Sequence, residues 1–248
     1  MRQILAEREN KTIWREGDEV LKVFEEGFQL SDILNEALNQ ARVMEASSLP
    51  IPKILEVGKA SGKWAIRMDY VAGPTLAALM AREPSRRLEL LERFIGVQIG
   101  MHRHHGGLLN SLTEKTRRKI DESGLDPSIR YELLVRLESM PRARNLLHGD
   151  FNPGNVVVGE GGKAFILDWS HATQGDPAAD AARTYLLFRL EGSEETAEDY
   201  LEIFRRECGL ERSRIHGWLP LVAAVRYVTA EEPEREFLSK WIDVVDFQ

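Results

Sequence analysis

Cysteine is almost absent from the 248-residue sequence, which contains only Cys208. A lone cysteine forms neither an intrachain disulfide nor a multi-cysteine metal site, and such scarcity is typical of a reducing compartment. The sequence also lacks a run of about eighteen apolar residues, the length that a membrane-spanning helix needs, and charges interrupt the N-terminal MRQILAEREN. We therefore expect a cytoplasmic protein with no membrane partner.

Basic residues are outnumbered by acidic ones, 33 to 40, which gives a formal net charge of −7. Because proteins hold a nucleic-acid backbone mainly through clustered lysine and arginine, this balance argues against a nucleic-acid partner. A nucleotide remains compatible, since metal ions and one or two lysines neutralise its phosphates. The hydrophobic fraction of 43% and charged fraction of 29% are ordinary for a globular enzyme. The sequence leaves the oligomeric state open.

The N-terminal part of the chain alternates between short strand-like runs and polar turns. A helical repeat of Leu34, Leu38 and Ala41 interrupts them, and we expect Ser31 to cap a helix that ends near residue 47. The pattern predicts an antiparallel sheet of about five strands with one inserted helix. The predicted strands cover residues 3–6, 12–15, 20–24, 54–57 and 63–70.

Beyond Gly73 the pattern changes to long helical repeats, broken by one return to strand at NVVV and AFILDW. We therefore divide the chain into an N-terminal lobe, residues 1–72, and a mainly helical C-terminal lobe, residues 73–248. The predicted fold class is α+β. Helices are predicted at about residues 76–82, 88–104, 113–123, 128–139, 178–191 and 196–208, with two more near the C-terminus.

The segment Leu146–Trp169, LLHGDFNPGNVVVGEGGKAFILDW, combines a predicted β-hairpin with several oxygen-bearing side chains. Its two apolar runs flank Gly161 and Gly162, which can adopt the positive φ angles of a tight turn. Asn155 precedes the first strand and Asp168 ends the second, so both lie at one end of the hairpin. An amide and a carboxylate supply the oxygen ligands that Mg²⁺ prefers in kinase sites.

Asp150 lies five positions before Asn155, and the intervening FNPG favours a turn that leaves the Asp150 carboxylate facing the same end. A carboxylate there can accept the proton of an attacking hydroxyl and align it for phosphoryl transfer. The alternative is an ordinary surface turn, since Asp, Asn, Pro and Gly all favour turns. The combined spacing favours the functional interpretation.

The stretch HGDFNPGN resembles the HGDxxxxN catalytic loop of the aminoglycoside phosphotransferase and choline kinase family. This family is a branch of the protein-kinase-like superfamily, and ILDW takes the place of the metal-binding DFG of protein kinases. The resemblance implies a bilobal protein-kinase-like fold with a catalytic β-hairpin in the C-terminal lobe. It also implies Asp150 as the catalytic base, Asn155 and Asp168 as Mg²⁺ ligands, and His148 as a structural member of the loop.

The resemblance extends to VLKVF on the third predicted strand, where Lys22 takes the position of the lysine that contacts the α and β phosphates of ATP. The alternative is a surface lysine with its stem along the sheet. Such a lysine needs an anionic partner from the following helix, and Glu36 and Glu45 are the candidates. They are nine residues apart and face opposite sides of a helix that turns about 100° per residue. Glu36 better matches the position in the family.

Two further segments resemble the family. MDYVAG is similar to the hinge between the lobes, so the backbone of Asp69, Tyr70 and Val71 is implied to meet the adenine ring. GDPAAD follows the metal aspartate as in the family, although Asp176 before Pro177 is also a good helix cap.

One departure from protein kinases concerns the first turn, ERENK, which contains no glycine to cover the phosphates. Arg8, Asn10 or Lys11 can substitute through their side chains, although the simpler interpretation is that they are solvated turn residues. ATP is the implied co-substrate, and GTP stays open.

The function that the resemblance implies is ATP- and Mg²⁺-dependent transfer of the γ-phosphoryl group to a hydroxyl of a small molecule. A cationic acceptor, such as an aminoglycoside, choline or an amino alcohol, is compatible with acidic and aromatic residues of the C-terminal helices, although helical amphipathicity also explains them as surface and core. The alternatives are a nucleotide-binding regulatory protein, an atypical Ser/Thr protein kinase and an unrelated two-carboxylate hydrolase. The residues in question are Asp199, Glu202, Glu231, Glu232, Glu234, Asp243, Trp218, Tyr227 and Trp241.

Overall fold

The computed structural model describes residues 2–242, and the chain folds into two compact units. The units are divided differently from the lobes predicted with a boundary after residue 72, because residues 73–84 and the hairpin segment of the predicted catalytic region both fall in the first unit. The first unit contains the chain up to Pro84 together with Pro153–Ala172, and the second unit contains Ser85–Asn152 and the chain from Thr173 onward.

The strands and helices follow the predicted order, and the predicted α+β class is confirmed. The strands are β1 (Arg2–Arg8), β2 (Lys11–Glu16), β3 (Glu19–Phe24), β4 (Ile54–Ala60), β5 (Lys63–Asp69), β6 (Asn145–Leu147), β7 (Val156–Val158), β8 (Ala164–Ile166) and β9 (Thr173–Gly175). The helices are α1 (Leu30–Ala46), α2 (Leu76–Arg82), α3 (Arg87–His102), α4 (Leu112–Asp121), α5 (Pro127–Ser139), α6 (Pro177–Leu190), α7 (Glu194–Cys208), α8 (Arg212–Tyr227) and α9 (Glu234–Ile242).

The first unit is built on a five-stranded antiparallel sheet with the order β1-β2-β3-β5-β4. Helix α1 packs beside β4 and β5, where Ile33 and Ala37 join Phe24 and Ile66 in a buried cluster. On the other sheet face, Leu21 forms part of a second buried cluster. The predicted sheet with one inserted helix is therefore confirmed.

The predicted cap of α1 is wrong. The helix begins at Leu30, and the residue at its N-cap is Gln29, whose side chain makes no capping hydrogen bond. Ser31 lies inside the first turn because a tight turn, closed by the amide of Phe28 donating to the carbonyl of Glu25, brings the chain into the helix earlier. Asp32 in the first turn complements the helix dipole instead.

Backbone hydrogen bonds attach the β7–β8 hairpin to the rest of the first unit. The amide of Val158 donates to the carbonyl of Pro74 at 2.9 Å, and that of Ile166 donates to the carbonyl of Pro50 at 3.0 Å. The strands pair antiparallel as predicted. Their connection uses positive φ at Gly161 (67°) and Gly162 (79°), which only glycine adopts without strain.

The second unit is mainly helical, with one short antiparallel pair, β6 and β9, that the sequence analysis did not predict. Its core contains stacked aromatic rings, including Phe94 and Phe151 with centroids 4.6 Å apart. Helix α6 is buried around most of its circumference, so its first turns carry alanines rather than an amphipathic stripe. None of the helices within residues 2–242 has the length and apolarity needed to cross a membrane.

Asp176 anchors the start of α6. It is 1% exposed, and its carboxylate accepts hydrogen bonds from the amide of Ala178 at 3.1 Å, from Trp218 Nε1 at 3.0 Å and from Arg214. The sequence leaves open whether Asp176 caps a helix or belongs to the active site, and these contacts show that it caps α6.

We predict that Asp176→Ala lowers the free energy of unfolding by about 3–5 kcal/mol, because it removes a cap and leaves the buried Trp218 indole and the Arg214 guanidinium without their acceptor. Urea denaturation measures the change. Glu236→Ala, which removes only an exposed ion pair with Lys240, is the control and should change stability by less than about 0.5 kcal/mol. Equal effects of the two variants would contradict the anchoring role.

Candidate active site

Asn155 and Asp168 lie at the same end of the hairpin in the first unit. The amide of Leu167 donates to the carbonyl of Asn155 at 2.8 Å, which extends the pairing of β7 and β8 by one step. Asp168 follows with φ 58° and ψ 69°, a left-handed conformation that is uncommon for non-glycine residues and often occurs at functional sites. Both residues line one cavity of about 360 Å³.

Lys22 connects the sheet, α1 and the end of the hairpin. It is 4% exposed, its ammonium forms an ion pair with Glu36, and Nζ lies 3.4 Å from Asp168 Oδ1. Burial alone would lower the pKa of Lys22, but the carboxylates of Asp168 and Glu36 outweigh it, and the pKa is raised. Lys22 is therefore a buried, charged residue, while Glu45 is exposed.

A second ammonium, which the sequence analysis mentioned only as one of three substitutes, approaches the same carboxylate. Lys11 Nζ lies 3.9 Å from Asp168 Oδ2, and the Lys11 side chain is 13% exposed. Burial, followed by the neighbouring charge of Lys22, lowers the pKa of Lys11. Two lysines thus face one carboxylate, and the interpretation of Lys11 as a solvated turn residue is wrong.

The predicted hinge residues Asp69, Tyr70 and Val71 also line the cavity. Two of their amides already have acceptors: Asp69 N donates to the carbonyl of Lys53 and Tyr70 N to that of Asp18. These two amides are therefore not available to a purine base. Apolar side chains supply most of the remaining wall, as is usual for cofactor pockets, and they are Leu5, Ala6, Ile13, Val20, Met68, Val157 and Leu167.

Asp150 belongs to the second unit, where a buried carboxylate holds the backbone of its loop. Asp180 accepts hydrogen bonds from the amides of His148 at 3.1 Å and Gly149 at 2.7 Å, and it contacts His102 Nε2 at 3.0 Å. Burial opposes its charge, but these partners outweigh burial and lower the pKa of Asp180. Sequence reasoning missed Asp180; its signal is the second aspartate of GDPAAD.

The Asp150 side chain is 28% exposed, so a ligand can reach it. Its Oδ1 accepts a hydrogen bond from Arg183 Nη2 at 3.1 Å. The Asp150 amide donates to His148 Nδ1 at 3.3 Å, and Thr184 Oγ1 donates to the carbonyl of Phe151 at 2.8 Å. Helix α6 therefore fixes the loop on both sides of Asp150. Arg183 was not predicted, although it lies one helical turn after Asp180.

A model of the phosphotransferase enzyme family matches residues 1–218, and this chain belongs to that family. The family resemblance and fold inferred from the sequence are thereby confirmed.

Individual relatives agree with this assignment. The chain is 35% identical to hygromycin-B 4-O-kinase of Escherichia coli over 54 residues, which span 22% of this chain but only 16% of that protein. It is similar in fold to an apo thermostable mutant of aminoglycoside phosphotransferase APH(4)-Ia, with a TM-score of 0.73 and 19% identity over 99% of this chain and 93% of the other. It is also similar in fold to a choline/ethanolamine kinase family protein from Mesorhizobium loti, with a TM-score of 0.60 and 12% identity over 100% of this chain and 90% of the other.

We predict that Glu36→Gln destabilises the protein by about 1–3 kcal/mol, because it removes one of the two carboxylates that compensate the buried Lys22 ammonium. The free energy of unfolding from urea titration measures this. Glu45→Gln changes an exposed glutamate of the same helix and should leave stability unchanged. If both variants behave alike, the ion pair does not stabilise the folded state.

Proposed function

We propose that this chain is an ATP- and Mg²⁺-dependent kinase that transfers the γ-phosphoryl group to a hydroxyl of a small molecule. The observation that carries the proposal is the meeting of Lys22, Glu36 and Asp168 beside a cavity of about 360 Å³. A buried lysine held by a helix glutamate and a metal-binding aspartate is the arrangement that orients a triphosphate in protein-kinase-like enzymes.

The cavity is suited to a nucleotide. It is large enough for a purine base, it has apolar walls, and Lys22 and Asp168 line it. Neighbouring structures support the same class of ligand: APH(4)-Ia mutants are described in ternary complexes with hygromycin B and ADP or AMP-PNP, and a mutant aminoglycoside 2'-phosphotransferase with GDP. We propose ATP as the donor, with GTP as the alternative.

Asn155 and Asp168 would hold Mg²⁺, since an amide and a carboxylate are suitable oxygen ligands. The arrangement fits a cation, because the Asp168 carboxylate lies at the cavity and already attracts the ammonium groups of Lys11 and Lys22. When bound, the ion neutralises charge on the β- and γ-phosphates.

In the proposed reaction Asp150 accepts the proton of the acceptor hydroxyl. The hydroxyl oxygen forms a bond to the γ-phosphorus while the bond from that phosphorus to the β,γ-bridging oxygen breaks. The products are ADP and a phosphate monoester. Asp180 and Thr184 support this step indirectly, because they hold the backbone on either side of Asp150.

We further propose that Lys11 compensates for the turn without glycine. A glycine-rich loop brings backbone amides to the phosphates, whereas here the side chain of the first residue of β2 brings a second ammonium to Asp168. With Lys22, it supplies two positive charges for a triphosphate. A cytoplasmic location stays our prediction, from the single cysteine.

We predict that Asp150→Asn retains binding of Mg²⁺ and ATP while it lowers acceptor-dependent ADP release at least a hundredfold, the effect of losing a general base. Asp168→Ala should instead abolish the thermal stabilisation that Mg²⁺ and ATP give together. ADP release and thermal shift, measured on both variants, separate the two roles. A nucleotide-binding regulatory protein would bind ATP without acceptor-dependent release, and that result would overturn the proposed function.

We predict that Lys11→Met weakens ATP binding by roughly ten- to hundredfold, the loss expected for one charge-assisted contact of about 1.5–3 kcal/mol. AMP should be affected much less, because it lacks the β- and γ-phosphates. Lys63→Met is the matched control, since Lys63 lies in the same sheet but pairs with Glu25. Equal loss for AMP and ATP in titration calorimetry would contradict a phosphate contact.

A further inference from the structure

Helices α3 and α6 of the second unit face each other through three matched pairs of side chains. Each helix contributes every fourth residue, so its three side chains lie along one face. Two of the pairs are polar and buried, and the lower of these, through its aspartate, holds the amides at the start of the loop that carries Asp150. The pairs are Phe94 with Phe188, Gln98 with Thr184, and His102 with Asp180.

The middle pair reaches the same loop on the other side of Asp150. Gln98 Nε2 donates to Thr184 Oγ1 at 3.1 Å, and Thr184 Oγ1 donates to the carbonyl of Phe151 at 2.8 Å. Phe151 directly follows Asp150, and its ring stacks on Phe94, one helical turn before Gln98. Helix α3 therefore holds the ring of this residue directly and its backbone through Thr184.

A third helix, α7, contributes the outermost member of this network. Tyr200 Oη donates to Gln98 Oε1 at 2.8 Å, and its ring packs among three phenylalanines with centroids 5.6–6.2 Å away. Burial raises the pKa of Tyr200 well above its ordinary value, so the hydroxyl keeps the proton that it donates. We call the series from Tyr200 through Gln98 and Thr184 to the Phe151 carbonyl the hydrogen-bond chain.

Helix α7 also carries Asp199 and Glu202, which the sequence analysis named as candidates for binding a cationic acceptor. Each forms an ion pair with an arginine. Asp243, named with them, lies outside the described residues. The residue between the two acids, Tyr200, is the one through which α7 reaches the loop.

The direction of each hydrogen bond follows from the end of the chain at the loop. The Phe151 carbonyl can only accept, so the single hydrogen of the Thr184 hydroxyl points to it. The Thr184 oxygen then accepts, and Gln98 must present its NH₂ group there. The Gln98 oxygen therefore faces Tyr200, which must donate. Without the Tyr200 hydroxyl the amide is free to turn over, and Thr184 would then donate to Gln98 instead of to the loop.

Burial makes this order strict. Gln98, Thr184 and Tyr200 are each 0% exposed, so water cannot replace a lost partner, and an unpaired group would bear its full desolvation cost. Apolar side chains of similar shape would fill the same space with nearly equal stability. The polar residues are therefore better explained by the orientation that they impose on the loop than by stability.

We propose that Tyr200 and Gln98 are positioning residues for phosphoryl transfer. The Tyr200 hydroxyl fixes the Gln98 amide, which directs the Thr184 hydroxyl to the carbonyl of Phe151 and so holds Asp150 in the orientation that receives the acceptor proton. The proposal rests on the proposed function, in which Asp150 is the base.

Tyr200→Phe tests the proposal, because it removes the hydroxyl and keeps the ring. Transfer from ATP is measured with hygromycin B, choline and ethanolamine as acceptors. We expect kcat to fall about tenfold, as for a misplaced reacting group, while KM for ATP changes less than about twofold because only the orientation of the base is altered.

Tyr185→Phe is the matched control. It removes a tyrosine hydroxyl that donates to Glu198 at 2.7 Å and is not part of the hydrogen-bond chain, so kcat should not change. Equal losses of kcat in the two variants, or a loss confined to KM for ATP, would overturn the positioning role.

A double variant tests whether the residues act in series. Thr184→Val removes the link that contacts the loop, so adding Tyr200→Phe to it should lower kcat no further. If the two losses multiply, Tyr200 acts independently of Thr184 and the hydrogen-bond chain is wrong.

Hydrogen exchange tests the same chain without an acceptor. Amides of residues 148–152, followed by mass spectrometry, should exchange faster in Tyr200→Phe than in the wild type or Tyr185→Phe. Residues 128–139 of α5 are the internal reference, since a general loss of stability would speed exchange there as well. Unchanged exchange in the loop overturns this proposal even if ATP binds. Absence of ATP binding by the wild type overturns the proposed function instead, so the two failures are distinguishable.

Discussion

Burial of charge is the constraint on which the candidate active site depends. Lys22 is 4% exposed, and an ammonium group removed from water stays charged only beside anions. Glu36 and Asp168 supply these anions from different elements, the inserted helix and the end of the hairpin. The ion pairs that compensate the Lys22 charge therefore hold β3, α1 and the end of the hairpin together. Lys11 then adds a second positive charge.

In the second unit the buried charge is negative, and it too is compensated by its neighbours. Asp180 is completely enclosed, and it stays ionised because His102 and the amides of His148 and Gly149 satisfy it. The buried Asp180 carboxylate thus holds the start of the loop, in addition to the hydrogen bonds that the loop residues make with one another. Asp150, by contrast, remains partly open to solvent, with Arg183 beside it. The enclosed charges therefore stabilise the fold, whereas the Asp150 carboxylate is accessible to a ligand.

Hydrophobic periodicity was sufficient to predict the five-stranded sheet, the order of the helices and the hairpin, because each depends on local alternation of apolar and polar residues. The motif spacing led to Asp150, Asn155 and Asp168, and the resemblance to the family led to Lys22. The predicted N-cap of α1 was wrong because a turn before the helix decides where the chain becomes helical. Hydrophobic periodicity does not reveal such a turn.

The unpredicted contacts are tertiary. Lys11 looks like any charged turn residue in the sequence, and it differs only because the hairpin brings Asp168 to within 3.9 Å of it. Arg183 follows the alanine-rich first turns of α6, and only its contact with Asp150 distinguishes it from other helical arginines. Strands β6 and β9 have three residues each, and such short segments show no alternation of apolar and polar residues from which a strand can be predicted. In each case the information lies in contacts between segments distant in sequence.

The inclusion of the hairpin in the first unit has a consequence for how the protein is made. The segments up to Pro84 and from Pro153 to Ala172 form one compact unit, so that unit cannot close until the ribosome has synthesised both, with the whole of residues 85–152 in between. Contacts of such long sequence separation form slowly, because loop closure precedes the gain from packing. During synthesis the first unit therefore stays incomplete until residues 153–172 have been added, and in that interval the nascent chain is most prone to aggregation.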